Sequence, residues 1–177
     1  MRSVVDAERV RAFMQALGER SRGPGRVYFT GGVTAVLYGW RTATVDIDLK
    51  MEPEPAGAFE AIASLKDELN VNVELAAPDH FVPVPANWSR RSIFIGRAGL
   101  VDFFHYDPLG QAMSKIERSH DRDLADVGEM IARGLVSLLD VEAYFESVET
   151  MLVRYPAIDR AAFAQKIEAF LELKRGT

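Results

Sequence analysis

Asp46 and Asp48 stand two residues apart in "TVDIDLKM" (44–51), a segment in which apolar and polar residues alternate. Residues i and i+2 of a strand project from one face. The two carboxylates are therefore neighbours, opposite Val45, Ile47 and Leu49. Carboxylates so placed repel unless water screens them or a cation lies between them. Paired oxygen donors suit a hard cation such as Mg²⁺, which often shares its coordination with substrate phosphates. Thirteen residues upstream lies a second chemical feature, Gly31-Gly32, between "RVYF" and "VTAVLY". A strand that ends in two glycines and enters a helix presents backbone N–H groups to an anion, and glycine lets a phosphate approach closely. Each half has an ordinary reading: a turn built for geometry, or a solvated strand face. Neither is a P-loop, since no Gly-Lys-Ser/Thr follows, and the glycine spacing does not fit a dinucleotide fingerprint. Together they make an anion turn beside a cation-binding pair, the combination that phosphoryl or nucleotidyl transfer requires.

The elements that must position these residues are legible in the periodicity. Val5, Val10, Phe13, Met14 and Leu17 recur at helical spacing over 4–19, and "SRGPG" (21–25) ends that helix. A short strand (26–29), the glycine turn, a short helix closed by Gly39, the acidic strand (44–51) and a helix at about 56–69 follow. "VNVELA" (71–76) alternates again, residues 77–89 form a proline-rich loop, and 92–106 reads as a hairpin around Gly96–Gly99. After residue 107 the pattern is helical. "DPLGQAMSKIER" (107–118) is a helix with Asp107 as N-cap and Pro108 at its first position, "DRDLADVGEMIARG" (121–134) is a second ended by Gly134, and two more lie at about 140–153 and 157–174. The expected fold class is α+β: a small mixed sheet flanked by helices, with a C-terminal helical extension. The expected division is a core over 1–106 and a helical region over 107–177 packed on it.

Composition narrows the function classes. The chain has 177 residues, no cysteine, three histidines and a net charge of −5. Disulfides and thiolate metal sites are excluded, and a global acidic excess argues against non-specific nucleic-acid binding. Neither a signal-peptide core nor a membrane-length apolar run is present, so the expected location is cytoplasmic.

The Gly-Gly turn followed by Asp-Ile-Asp, flanked by strands, resembles the polymerase-beta-like nucleotidyltransferase superfamily. "AMSKIERSHDRDLADV" (112–127) is similar to the lysine-then-Arg-Asp-x-x-Asp segment of bacterial AbiEii-like nucleotidyltransferases, which include toxins of toxin–antitoxin systems. The layout of 26–135, with "FVPVPANW" and "FFHYDPLGQAMSKIER", also resembles a bacterial nucleotidyltransferase-like family without an assigned function. The resemblance implies a nucleotidyltransferase-type sheet. It also implies an NTP on Gly31 and Gly32, with Thr34 and Arg41 nearby, and Mg²⁺ (or Mn²⁺) on Asp46 and Asp48. The superfamily adds a third acid. Glu74, which shares a face with Asn72, is the first candidate and Asp102 the rival. Glutamate is a departure from the more usual aspartate.

Lys115, Arg118 and Arg122 form one stripe if their helix continues through residue 119, followed by Asp123 and Asp126. From spacing alone these are surface ion pairs. The resemblance implies instead that Lys115 approaches the triphosphate and that Asp123 supports the site or orients a basic partner, with Arg118 a further candidate for nucleotide contact. Arg90 and Arg91 beside Trp88 read as a strand-edge charge cluster or a nucleic-acid contact. The functional expectation is a metal-dependent nucleotidyltransferase acting on a tRNA or a protein hydroxyl, with an antitoxin as partner if it is a toxin. The alternatives are a catalytically inactive nucleotide-binding or regulatory module, or an interaction subunit working through the apolar helices of 136–177.

Overall fold

The computed structural model describes residues 4–176. It is a mixed α+β protein with a five-stranded sheet, and the chain divides into two compact units. The first comprises residues up to 77 together with 92–106, and the second comprises 78–91 with 107 onward. Residues 78–91 thus cluster with the C-terminal helices, although they precede the last two strands.

In the strand unit, helix α1 (Ala7–Arg20) is capped by Asp6, whose side chain accepts from the Arg9 N–H, and ends before Ser21. Strand β1 (Gly25–Phe29), helix α2 (Gly32–Tyr38), strand β2 (Asp46–Met51), helix α3 (Ala58–Glu68) and strand β3 (Asn72–Glu74) follow. Gly39, at φ +83°, ends α2 in the left-handed conformation. Later in the chain come α4 (Trp88–Arg91), which belongs to the helical unit, and the hairpin β4 (Ile93–Ala98) and β5 (Val101–His105). The sheet order is β3-β2-β1-β5-β4. Strands β2 and β3 are parallel, as are β1 and β5, while β1–β2 and β4–β5 are antiparallel.

One sheet face is the core of this unit. Phe13 and Leu17 from α1, Val33 from α2 and Ile62 and Leu65 from α3 bury against Phe29, Ile47, Leu49, Val73 and Phe103. Phe29 stacks on Phe103 at 5.8 Å between ring centroids. Ile47 and Leu49 are fully buried, as alternation predicts, but Val45 lies outside β2 and is 63% exposed. Leu75 is likewise exposed, just beyond the end of β3. Apolar residues at strand ends take the alternating pattern without the burial, because no neighbouring element covers them.

In the helical unit, α5 (Pro108–Arg118) starts as the sequence predicts, with Asp107 accepting from the Leu109 N–H and Pro108 in the first turn. It ends at Ser119, which takes φ +56°. Helix α6 (Asp121–Ala132) follows, then α7 (Leu138–Val148) with a Ser137/Asp140 capping box, a 3₁₀ turn over Glu149–Arg154, and α8 (Arg160–Arg175). Met113, Ile116, Val127, Tyr144, Phe163 and Phe170 are buried within this unit. Two tyrosines hold the 78–91 segment to the helices: the Tyr144 hydroxyl donates to the Pro83 carbonyl, and the Tyr155 hydroxyl to the Asp79 carbonyl at 2.7 Å. Burial pushes the Tyr144 phenol up, so it stays a donor.

Candidate functional site

The second sheet face carries the acids. Parallel pairing sets Asp46 opposite Asn72, Ile47 opposite Val73 and Asp48 opposite Glu74. Side chains at matched positions of neighbouring strands share a face, so Asp46, Asp48, Asn72 and Glu74 form a polar square two strands wide. The Asn72 amide nitrogen donates to Asp46 Oδ1 at 2.8 Å and to Glu74 Oε1 at 2.9 Å. Asp46 and Asp48 are half-buried and Glu74 is exposed.

The glycine turn meets this square at Asp48. Gly31 caps α2 at φ +59°, a conformation that disfavours side chains, and a Cβ there would lie 3.2 Å from Asp48 Oδ2. The Thr30 N–H donates to the Asp48 carbonyl at 3.0 Å, which ties the turn to the strand. Gly32 is required by closeness, since a Cβ would fall 2.0 Å from Thr44 Oγ1. The structure therefore brings together Gly31, Gly32, Asp46, Asp48 and Glu74.

The rival third acid stands elsewhere. Asp102 pairs in register with Arg26 on β1, four residues from Thr30 and two strands from β2, on the order of 13 Å along the sheet. It is held by two bonds from Arg97, at 2.6 and 2.9 Å, and the guanidinium keeps its carboxyl below the usual range. Thr34 is buried, with its hydroxyl 3.2 Å from His105 Nδ1. Arg41 follows α2 in the loop to β2 and is half-buried.

Lys115, Arg118 and Asp123 belong to the helical unit. The stripe with Arg122 does not form, because the left-handed Ser119 ends α5 and Arg122 sits on α6. What forms is a closed ion cluster. The Lys115 ammonium, 4% exposed, donates to Asp126 Oδ2 at 2.6 Å and Asp123 Oδ1 at 3.3 Å. Arg118 reaches the same Asp123 oxygen at 2.9 Å. Two cations and two carboxylates balance, and they lock α5 to α6 across the turn. Arg91 is also committed, to the buried Asp107 and to Asn87, which leaves Arg90 as the exposed member of its pair.

Two features escaped the sequence. Asn72 is a bridge rather than a filler, and the signal for it was its i, i+2 spacing from Glu74. His105 is buried under α2, its ring 4.6 Å from that of Tyr38, and burial pushes its imidazole down to about 4. The signal for it was strand alternation, which puts His105 on the buried face of β5 with Val101 and Phe103.

Among the described residues no group of three or more His, Asp or Glu already stands in metal-holding geometry. No helix among them is long and apolar enough to cross a membrane. A family model described as "nucleotidyltransferase of unknown function (DUF6036)" matches residues 8–175. The chain belongs to that family, whose description indicates nucleotidyl transfer in general. No curated protein and no solved structure matches it.

Proposed function

We propose that the chain is a Mg²⁺- or Mn²⁺-dependent nucleotidyltransferase, moving a nucleoside monophosphate from an NTP to an acceptor hydroxyl on the face bearing Asp46, Asp48 and Glu74. The family membership supports the reaction class. The observation that carries the rest is the register that sets Glu74 beside Asp48, with Asp48 against the Gly31 turn. The donor set is oxygen-only, which suits a hard cation. Mg²⁺ characteristically takes one or two carboxylates and completes its shell with water and substrate phosphates, so an incomplete protein cage fits it.

When bound, the cation would neutralise the phosphates and polarise the α-phosphate. Asp46 and Asp48 would hold the cation, and Glu74 would complete the acid set. Gly31 lets the phosphate chain approach the turn, while Gly32, packed against Thr44, sets the shape of that turn. The acceptor oxygen bonds to the α-phosphorus, the bond to the α–β bridging oxygen breaks, and pyrophosphate leaves. Glu74, the most exposed of the three acids, takes the proton of the attacking hydroxyl. The acceptor is an RNA end or a protein side chain, and a toxin role would add an antitoxin partner.

The test is labelling. Wild-type protein with labelled NTPs, Mg²⁺ and tRNA or total protein should transfer label to one fraction, and Asp46→Ala/Asp48→Ala should fall to background. Equal labelling by both proteins sinks the site. NTP binding without turnover in calorimetry would favour a binding module instead. Growth arrest on induction, absent in the double variant, is the expected sign of a toxin.

A further inference from the structure

We propose that Asn72 is a positioning residue for the cation of the acidic face, holding Asp46 and Glu74 as one unit; this rests on the reading of that face as cation-binding. Register alone places Asn72 where it can do so, directly across from Asp46 and two residues before Glu74 on one face of β3. Its amide nitrogen then lies 2.8 Å from Asp46 Oδ1 and 2.9 Å from Glu74 Oε1. An NH₂ group carries two hydrogens, and both are used here. The amide orientation follows from chemistry, because a carbonyl oxygen turned toward two carboxylates would face only lone pairs.

Two consequences follow from the bond count. Each carboxylate commits one oxygen to Asn72 and keeps the other, Asp46 Oδ2 for a cation and Glu74 Oε2 beside it for the proton of the acceptor. The bridge is also neutral, so it fixes two negative groups in place without cancelling their charge. A lysine or arginine at this position would satisfy the same oxygens and remove the attraction for a metal. Carboxylates that ligate metals are typically held by hydrogen bonds of this kind, and removing such a partner typically costs about 10–100-fold in affinity.

The experiment uses Mn²⁺ alone, titrated into the full chain and followed by the electron paramagnetic resonance of free Mn²⁺, without nucleotide. The proteins are wild type, Asn72→Ala, Asn72→Ser and Asp46→Ala/Asp48→Ala. Wild type should bind saturably and Asn72→Ala about 10–100-fold more weakly. Asn72→Ser, with one hydroxyl donor, should fall between, and the double variant should not bind. Circular dichroism establishes that each variant is folded, and Asn72→Ser carries the test if Asn72→Ala is not. Affinity equal to or tighter than wild type in the Asn72 variants overturns the positioning role while the cation-binding face stands. Absence of saturable Mn²⁺ binding in wild type overturns both.

Discussion

Two places in this molecule set one nitrogen between two carboxylates. In the helical unit the nitrogen is the Lys115 ammonium, between Asp123 and Asp126. On the sheet it is the Asn72 amide, between Asp46 and Glu74. The distances are similar but the charges are not. The lysine cluster sums to zero with the exposed Arg118, and its buried members, Lys115, Asp123 and Asp126, are paired with one another as buried ions must be to persist. The amide bridge leaves both of its acids charged, and it lies where water and solutes reach it. A balanced cluster serves the fold, whereas an unbalanced one costs the fold something, which is the ground for the cation proposed there. The charge of the bridging group thus separates the structural cluster from the ligand-binding face proposed for the sheet, although both are built from carboxylates.

The hardest blow to this comparison would come from Lys115→Met. Removing the ammonium leaves Asp123 and Asp126 buried without their shared partner, and unfolding in urea should show a loss of roughly 3–5 kcal/mol. The mirror change, Asp46→Ala, removes one member of a repelling group and should leave the thermal midpoint unchanged or higher. A Lys115→Met protein as stable as wild type but unable to transfer label would reverse the assignment, making Lys115 the phosphate contact that the resemblance implies.

His105 supplies a third way of handling buried charge, which is to shed it. Its folded pKa of about 4 lies below the ordinary 6.5, so the unfolded chain takes up a proton first as the pH falls. Its contribution is fully present above pH 6.5 and is lost progressively toward pH 4. Between pH 7 and 5 the loss should be about 2 kcal/mol. Urea titrations at both pH values should show this slope in wild type and a shallower one in His105→Gln. Equal slopes would mean that the ring is protonated within the fold.

The smallest effect belongs to Asp102→Asn. Its partner Arg97 is 65% exposed and screened by water, so the pair contributes little to stability. Mn²⁺ binding and labelling should be untouched. A large loss of either would return Asp102 to the role of third acid.

How much of this was readable beforehand depends on the range of the interactions involved. The acid pair, the glycine turn and the Asp107-Pro108 helix start were legible because each is set within a few residues, by strand alternation or by capping. The helix boundary after Arg118 was legible too, but whether the turn keeps Arg122 on one stripe with Lys115 and Arg118 was not. Serine and histidine at 119–120 do not forbid a continuing helix, and only the left-handed Ser119 breaks it. The two acids in the first turn of α6 are the signal that a helix starts there. The fate of 77–89 was also hidden, since its anchors are hydroxyls more than sixty residues away in sequence. The choice between Glu74 and Asp102 was a question of strand order. Both alternate correctly, but Glu74 lies on the strand hydrogen-bonded to β2, whereas Asp102 lies beyond β1.

The placement of 78–91 with the helices also governs how the chain can be divided. The backbone leaves the strand unit after Ala77 and returns at Ser92, so neither unit is a single length of sequence. A cut after Tyr106 would not release a free-standing sheet protein. It would strand Val82 and Val84, both buried, together with the carbonyls that Tyr144 and Tyr155 hold, and Arg91 would lose Asp107. Each unit is assembled from two separate lengths of sequence, so the two must be inherited, expressed and recombined as one piece.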